Sequence, residues 1–195
     1  MKWILIRHGL TRGNIEKRYI GCRTDEPLAA EGIEALKSKT YPPVQRVYAS
    51  PMKRCLQTAA ILYPGVPVTV VEDFKECDFG AFENRNYLEL KGDAAYQRWI
   101  DSGGSLPFPG GESRESFAAR CANAFNSLNP GEDCAIIAHG GTLMAIMEKV
   151  TQGNYFDFQV KNGEGYKLYA DGRYELLFEK MIDTQQPADY NESDK

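Results

Sequence analysis

The sequence predicts an α/β protein with a mostly parallel central sheet flanked by helices, and three observations lead there. Four short apolar runs rich in β-forming residues recur along the chain, at Trp3 to Ile6, Val44 to Ala49, Val66 to Val71 and Cys134 to Ala138. Helical periodicity separates most of them. Such alternation is the pattern of strands joined by helical crossovers. At 195 residues the chain is long enough for one domain, and a protein of this size buries roughly 70% of its unfolded surface.

Each element has its own local warrant. The first strand, "WILI", gives way abruptly to Arg7, His8 and Gly9. The stretch "SPMKRCLQTAAIL" reads as a helix with Pro51 in its first turn. Phe117, Cys121, Ala124, Phe125 and Leu128 repeat at the spacing of one helix face. The last of the four strands runs through His139, Gly140 and Gly141 into another helical stretch. In "YKLYADGRYELLFE" the pair Asp171-Gly172 sits between two β-like runs, the signal for a tight hairpin that adds antiparallel strands at one edge.

Residues 80–112 break the alternation and carry Phe82, Tyr87, Tyr96, Trp99 and Phe108. Their length and aromatic content predict a helical insertion over one end of the sheet. It packs as an aromatic mini-core, and a substrate-covering role is compatible with that. A single domain is expected over 1–183, and the polar, patternless 184–195 reads as a flexible tail.

Composition narrows the function. A net charge of −4 gives no general attraction to nucleic acid or to an anionic membrane, so neither is an expected partner. Five cysteines with no C-x-x-C pair suggest neither a disulfide framework nor a zinc knuckle, and fit a reducing cytoplasm. The N-terminal apolar run is too short for a signal peptide, and no run approaches the ~18 apolar residues of a membrane span. No residue pattern speaks to oligomeric state.

Both histidines of the chain, His8 and His139, stand where a strand ends in a turn. In an open parallel sheet, ligands bind beyond those strand ends. Arg7 and Arg54 are placed at the same edge, and an arginine fork together with helix N-termini suits a phosphoryl group. A neutral His8 could then attack phosphorus through Nε2 if a backbone carbonyl holds its Nδ1–H, giving a phosphohistidine. The leaving oxygen needs a proton, and "FKECDFGAFE" offers two carboxyl groups, Glu76 and Glu83. Two arginines roughly balance a phosphate dianion, so no metal and no cofactor is expected.

The segments "RHGLTRGN", "SPMKRCLQTA", "ECDFGAFE" and "AHGG" resemble, in order, the motifs of the histidine phosphatase superfamily, the phosphoglycerate-mutase-like group. The resemblance runs from residue 3 to about residue 145. It implies His8 as nucleophile, with Arg7, Arg54 and His139 as phosphate ligands. Glu76 becomes the general acid and then the base, and Asn14 and the Gly140 backbone make accessory contacts. Leu10 stands where glutamate is frequent, and Asn84 where glycine is usual. Within the superfamily, "GIEAL", "ECDFGAFE", the Tyr96 to Trp99 segment and "FPGGESRESFAARC" look most like the α-ribazole phosphatase branch. The implied activity is hydrolysis of a small-molecule phosphate monoester. From the residues themselves, the aromatic faces of Tyr96 and Trp99 suit a ring-bearing alcohol, and with Glu83 they are expected as further substrate contacts.

Three alternatives are weighed against it. A phosphoglycerate-type mutase would use the same site but hold a small carboxylate and exclude water. A non-enzymatic phosphate-binding module would be expected to have lost part of the residue set. A cysteine-dependent phosphatase needs an arginine six positions after a cysteine, and none is present.

Overall fold

The computed structural model describes residues 1–178, and the 184–195 segment lies outside the described residues. Six strands form one mixed sheet: β1 (Lys2–Arg7), β2 (Arg46–Ala49), β3 (Val68–Val70), β4 (Cys134–Ala138), β5 (Gly165–Tyr169) and β6 (Tyr174–Leu176). Their order across the sheet is β3-β2-β4-β1-β5-β6. The first four run parallel, whereas β5 and β6 add to the β1 edge antiparallel. All four apolar runs are strands, with β2 and β3 shorter than predicted. The hairpin at Asp171-Gly172 also forms, with Gly172 at φ +84° in its loop.

The central strands are apolar throughout because both of their faces are covered. Along β1, Trp3 and Leu5 pack into one core while Ile4 and Ile6 pack into another. Along β4, Cys134, Ile136 and Ala138 face the first core, and Ala135 and Ile137 the second. Helices α6 (Arg114–Asn126) and α7 (Gly140–Thr151) close the first face, and α3 (Lys53–Leu62) closes the second, with α2 (Ala30–Lys37) packed on α3. Pro51 falls outside α3. Met52 is the N-cap, so the proline precedes the first turn instead of occupying it.

The insertion is helical, with a 3-10 turn at Gly80–Phe82, α4 (Tyr87–Leu90) and α5 (Ala94–Asp101), while α1 (Arg12–Ile15) follows β1. Asn86 and Asp93 cap α4 and α5 with their side chains. The predicted mini-core forms from Phe82, Tyr96, Trp99 and Phe108, joined by Tyr19 from outside the insertion and with Tyr96 and Trp99 stacked 14° from parallel, but Tyr87 is exposed and lies outside it. Asn84, where glycine is usual in the resembling family, has φ +56°. Asparagine is one of the few other residues that tolerate that region.

Candidate active site

Register brings the two histidines together. β1 and β4 are parallel neighbours with Arg7 opposite Ala138, so the next residue of each strand is a histidine. The His8 N–H donates to the Ala138 carbonyl at 2.9 Å, and the two rings lie 5.2 Å apart, edge to face. The His8 Nδ1 lies 2.7 Å from the Gly9 carbonyl oxygen, which can only accept, so Nδ1 carries the proton. Nε2 is thereby the lone-pair nitrogen and has no hydrogen-bond partner among the described residues. Burial, then the charges of Arg54 and Arg7, hold this imidazole well below the usual histidine range. His8 is therefore a neutral imidazole at pH 7, oriented by its Nδ1–H and with Nε2 unbonded.

His139 and Arg54 form the fixed back of the site, and both are fully buried. Arg54 reaches it from the first turn of α3. Its Nε donates to His139 Nδ1 at 3.2 Å, while Nη1 and Nη2 donate to the Thr24 and Gly21 carbonyls at 2.8 and 3.0 Å. His139 accepts at Nδ1, so its Nε2–H donates to Ser50 Oγ at 2.8 Å. Burial and the Arg54 charge keep His139 neutral as well.

Arg7 is placed differently. Its Nη1 donates to the Val160 carbonyl at 2.8 Å, while its Nε is buried and has no partner. A Cβ added to Gly140 would sit 3.5 Å from the Arg7 Cζ, so the guanidinium lies against the start of α7. A partnerless charged donor beside a helix N-terminus is a place for an anion.

Glu76 faces the same helix end. Its Oε1 accepts the Cys77 N–H at 2.9 Å and its Oε2 the Gly141 N–H at 3.2 Å. Burial raises its pKa, opposed by those two N–H groups and by Arg54 and Arg7. Arg120 of α6 fixes the segment that carries it. Arg120 donates to the Asp73, Lys75 and Glu76 carbonyls, and both oxygens of Glu112 hold Arg120 in turn at 2.8 Å. A fork of five donors is what permits this five-point clamp.

A cavity of about 620 Å³ opens in front of this cluster. Arg7, Asn14, Glu76, Gly140 and Trp99 line it, and His8, Arg54 and His139 are not among the lining residues. Glu83 and Tyr96 are not among its walls. Glu83 accepts the Gly21 N–H at 2.9 Å, and Tyr96 packs on Trp99 and Tyr19. Of the two carboxyl candidates, Glu76 is therefore the one at the cavity. Among the described residues no group of three His, Cys, Asp or Glu side chains could hold a metal ion, and no helix is long and apolar enough to cross a membrane.

Several residues of the site escape sequence reasoning. Asn162 donates to the His8 carbonyl at 3.1 Å and to Asn14 Oδ1 at 3.0 Å, and its Nδ2 lies 3.4 Å from the Gly9 carbonyl that orients His8. Its only signal is the Asn162-Gly163 pair, which reads as an ordinary turn. Thr58 holds the Gly9 N–H at 3.0 Å, one helical turn after Arg54.

Comparison with known proteins now adds to this geometry. The model of the histidine phosphatase superfamily, branch 1, matches residues 3–178. An adenosylcobalamin/α-ribazole phosphatase of Salmonella typhimurium is 27% identical over 177 residues, covering 84% of this chain and 87% of that one. A metal-independent phosphoserine phosphatase of Arabidopsis thaliana is 30% identical over 166 residues, covering 77% and 69%. The crystal structure of a phosphoglycerate mutase from Thermus thermophilus superposes with a TM-score of 0.73 at 25% identity, covering 91% of this chain and 99% of that one.

Proposed function

The chain belongs to the histidine phosphatase superfamily, and from that premise we propose that it is a metal-independent phosphomonoester hydrolase working through a phosphohistidine. The observation that carries this is His8. Its Nδ1–H is fixed on the Gly9 carbonyl and its Nε2 is unbonded, while burial and then the Arg54 and Arg7 charges keep the ring neutral. In the first step the Nε2 lone pair forms the N–P bond as the ester P–O bond breaks. Glu76 delivers its proton to the leaving oxygen, and a bound phosphate dianion would raise its pKa further. In the second step Glu76 takes a proton from water, the water oxygen attacks phosphorus, the N–P bond breaks and phosphate leaves. Arg7 and Arg54 stabilise the charge on the transferring phosphoryl group, the task a metal performs elsewhere.

The proposed substrate is a small-molecule monoester with a ring-bearing alcohol, α-ribazole 5′-phosphate being a candidate. The Trp99 and Phe108 walls and the size of the cavity support a ring over a three-carbon acid. The same argument favours hydrolysis over a mutase reaction. We place the enzyme in the cytoplasm, where five free cysteines suit a reducing environment, and treat residues 1–183 as one domain.

The test is to quench turnover of an aryl phosphate in alkali and look for phosphorylated His8 by mass spectrometry. His8→Ala should abolish both turnover and the phosphoenzyme. Hydrolysis that persists in His8→Ala would end the proposal. Glu76→Gln should slow alkyl phosphates by about 10²-fold or more and aryl phosphates with good leaving groups much less.

A further inference from the structure

The cavity holds one more cation than the phosphoryl chemistry uses. Arg7, Arg18 and Arg114 all line it. Arg7 belongs to the anion site. Arg18 is consumed by structure: its Nη1 bonds to Glu89 at 2.8 Å and to the Asn84 carbonyl at 2.7 Å, and its Nε to Glu16 at 2.7 Å. The Arg114 side chain has no hydrogen bond and no carboxylate at ion-pair distance among the described residues. Its guanidinium instead lies over two rings, 5.8 Å from the centroid of Tyr155 and 5.7 Å from that of Phe156.

Two features set this arginine apart from an ordinary solvated residue. Arg114 is the first residue of α6, the end of a helix where a positive charge is disfavoured by the exposed N–H groups. The local sequence therefore gains nothing electrostatically by placing a cation there, and such departures from local consistency concentrate at functional positions. Its platform is also tied to the reaction centre. Tyr155 Oη donates to the Gly141 carbonyl at 3.3 Å, and the N–H of the same Gly141 holds Glu76. A planar cation lying on rings and lacking an acidic partner keeps its donor edge for a ligand.

We propose that Arg114 is a specificity residue, and that the substrate carries a second anionic group, such as a carboxylate, which Arg114 binds while the phosphoryl group reacts at His8. The substrate class is then a phosphate monoester whose alcohol is flat and itself negatively charged, with its body in the apolar part of the cavity. This rests on the hydrolase reading above and narrows it: α-ribazole 5′-phosphate, whose only anion is its phosphate, falls outside the class.

The experiment compares phenyl phosphate with 4-carboxyphenyl phosphate, two esters that differ in one anion. Arg114→Gln should lower the ratio of kcat/KM for the carboxylated ester over the plain one by at least tenfold. Arg114→Lys should restore part of that ratio, and the wild-type preference should shrink as salt rises. Arg114 is exposed, so the fold survives the change, which the melting temperature checks. Equal proportional losses on both esters, or an unchanged ratio, would overturn the proposal. Calorimetric titration with phenylphosphonate and 4-carboxyphenylphosphonate supplies a reading that needs no turnover. If the wild type hydrolyses neither ester, the hydrolase reading fails on its own. Arg114 is then judged by whether tighter binding of the carboxylated phosphonate exists and disappears in Arg114→Gln.

Discussion

Gly141→Ala is the sharpest single test of how Glu76 is held. A Cβ at position 141 would lie 2.5 Å from Glu76 Oε1, and 2.9 and 3.0 Å from the Cε1 and Cζ of Phe117. Ordinary contact begins at about 3.5 Å. Phe117 is 1% exposed and cannot move aside, so the carboxylate must retreat by roughly 1 Å and loosen its bond to the Gly141 N–H. In an unconstrained helix, alanine would stabilise over glycine by up to about 1 kcal/mol. Here the sign should reverse, with a loss of about 1–3 kcal/mol from overpacking. For a chain of this size that lowers the melting temperature by roughly 2–12 °C. A displacement of ~1 Å at a catalytic group costs about 10²-fold in rate, so kcat/KM should fall by that order for alkyl phosphates and less for good leaving groups. Gly140→Ala is the control for stability. Its Cβ would meet the Arg7 Cζ at an ordinary 3.5 Å, so the melting temperature should not drop. A Gly141→Ala protein that melts higher than wild type and hydrolyses alkyl phosphates normally would refute the placement of Glu76.

Three further expectations follow from the same geometry. Because burial holds His8 and His139 below their ordinary value of 6.5, the unfolded chain binds protons that the folded one refuses, and stability should fall as pH drops below about 6.5. Each histidine contributes a slope of up to about 1.4 kcal/mol per pH unit, opposed above pH 4.5 by the raised pKa of Glu76, which favours the folded state at low pH. Denaturant titrations of His8→Asn should give a shallower pH dependence, and curves parallel to wild type would refute the neutral imidazole. Inorganic phosphate at about 100 times its Kd should stabilise by about 2.7 kcal/mol, most of it lost in Arg7→Gln, and turnover should survive excess EDTA. Activity lost to EDTA and restored by Mg²⁺ would contradict the arginine-only charge balance. Trp99→Ala should lower kcat/KM more for ring-bearing esters than for alkyl ones, whereas Tyr96→Ala, outside the cavity, should lower stability with no change in that preference. The reverse assignment would mean that the wall is misread.

Where the sequence was legible, one local property sufficed. Apolar runs flanked by turns mark β1, β2 and β4 because strands covered on both faces have no polar side to show, whereas the exposed edge strand β3 is marked by its β-branched residues. His8 and His139 were found because each interrupts such a run at its end. What stayed hidden depends on long-range contacts. Asn162 acts on His8 from a strand-edge turn 154 residues away, and its sequence signal is that of a turn alone. Arg120 looks like the polar face of a helix, yet its fork holds three carbonyls of the Glu76 segment. Glu83 and Tyr96 are the opposite case. Residue type and neighbourhood placed them with the substrate, but whether a carboxyl or a ring faces a cavity is set by packing, and here Glu83 anchors Gly21 and Tyr96 supports Trp99.

The two arginines at the proposed phosphoryl site differ in how many of their donors the protein already uses, and that difference makes a last prediction. Arg54 donates to Gly21, Thr24 and His139, whereas Arg7 donates to Val160 and keeps a buried Nε unpartnered. Lysine preserves the charge at either position, so the cost of burying a cation largely cancels and the comparison isolates donor geometry. A lysine at 54 reaches at most one of the three acceptors, and each buried acceptor left bare costs about 1–3 kcal/mol, so Arg54→Lys should lose roughly 2–6 kcal/mol. Arg7→Lys puts a single bond at risk and should lose about 1–3 kcal/mol at most. Ligand affinity should be reduced by both changes. At position 7 the loss comes with a nearly intact fold, because the missing donor is one the protein itself left open. Unfolding in urea together with vanadate inhibition of each variant separates the two effects. If Arg7→Lys proves the less stable protein, or binds vanadate as well as wild type, then the unpartnered Nε of Arg7 has no part in holding the anion.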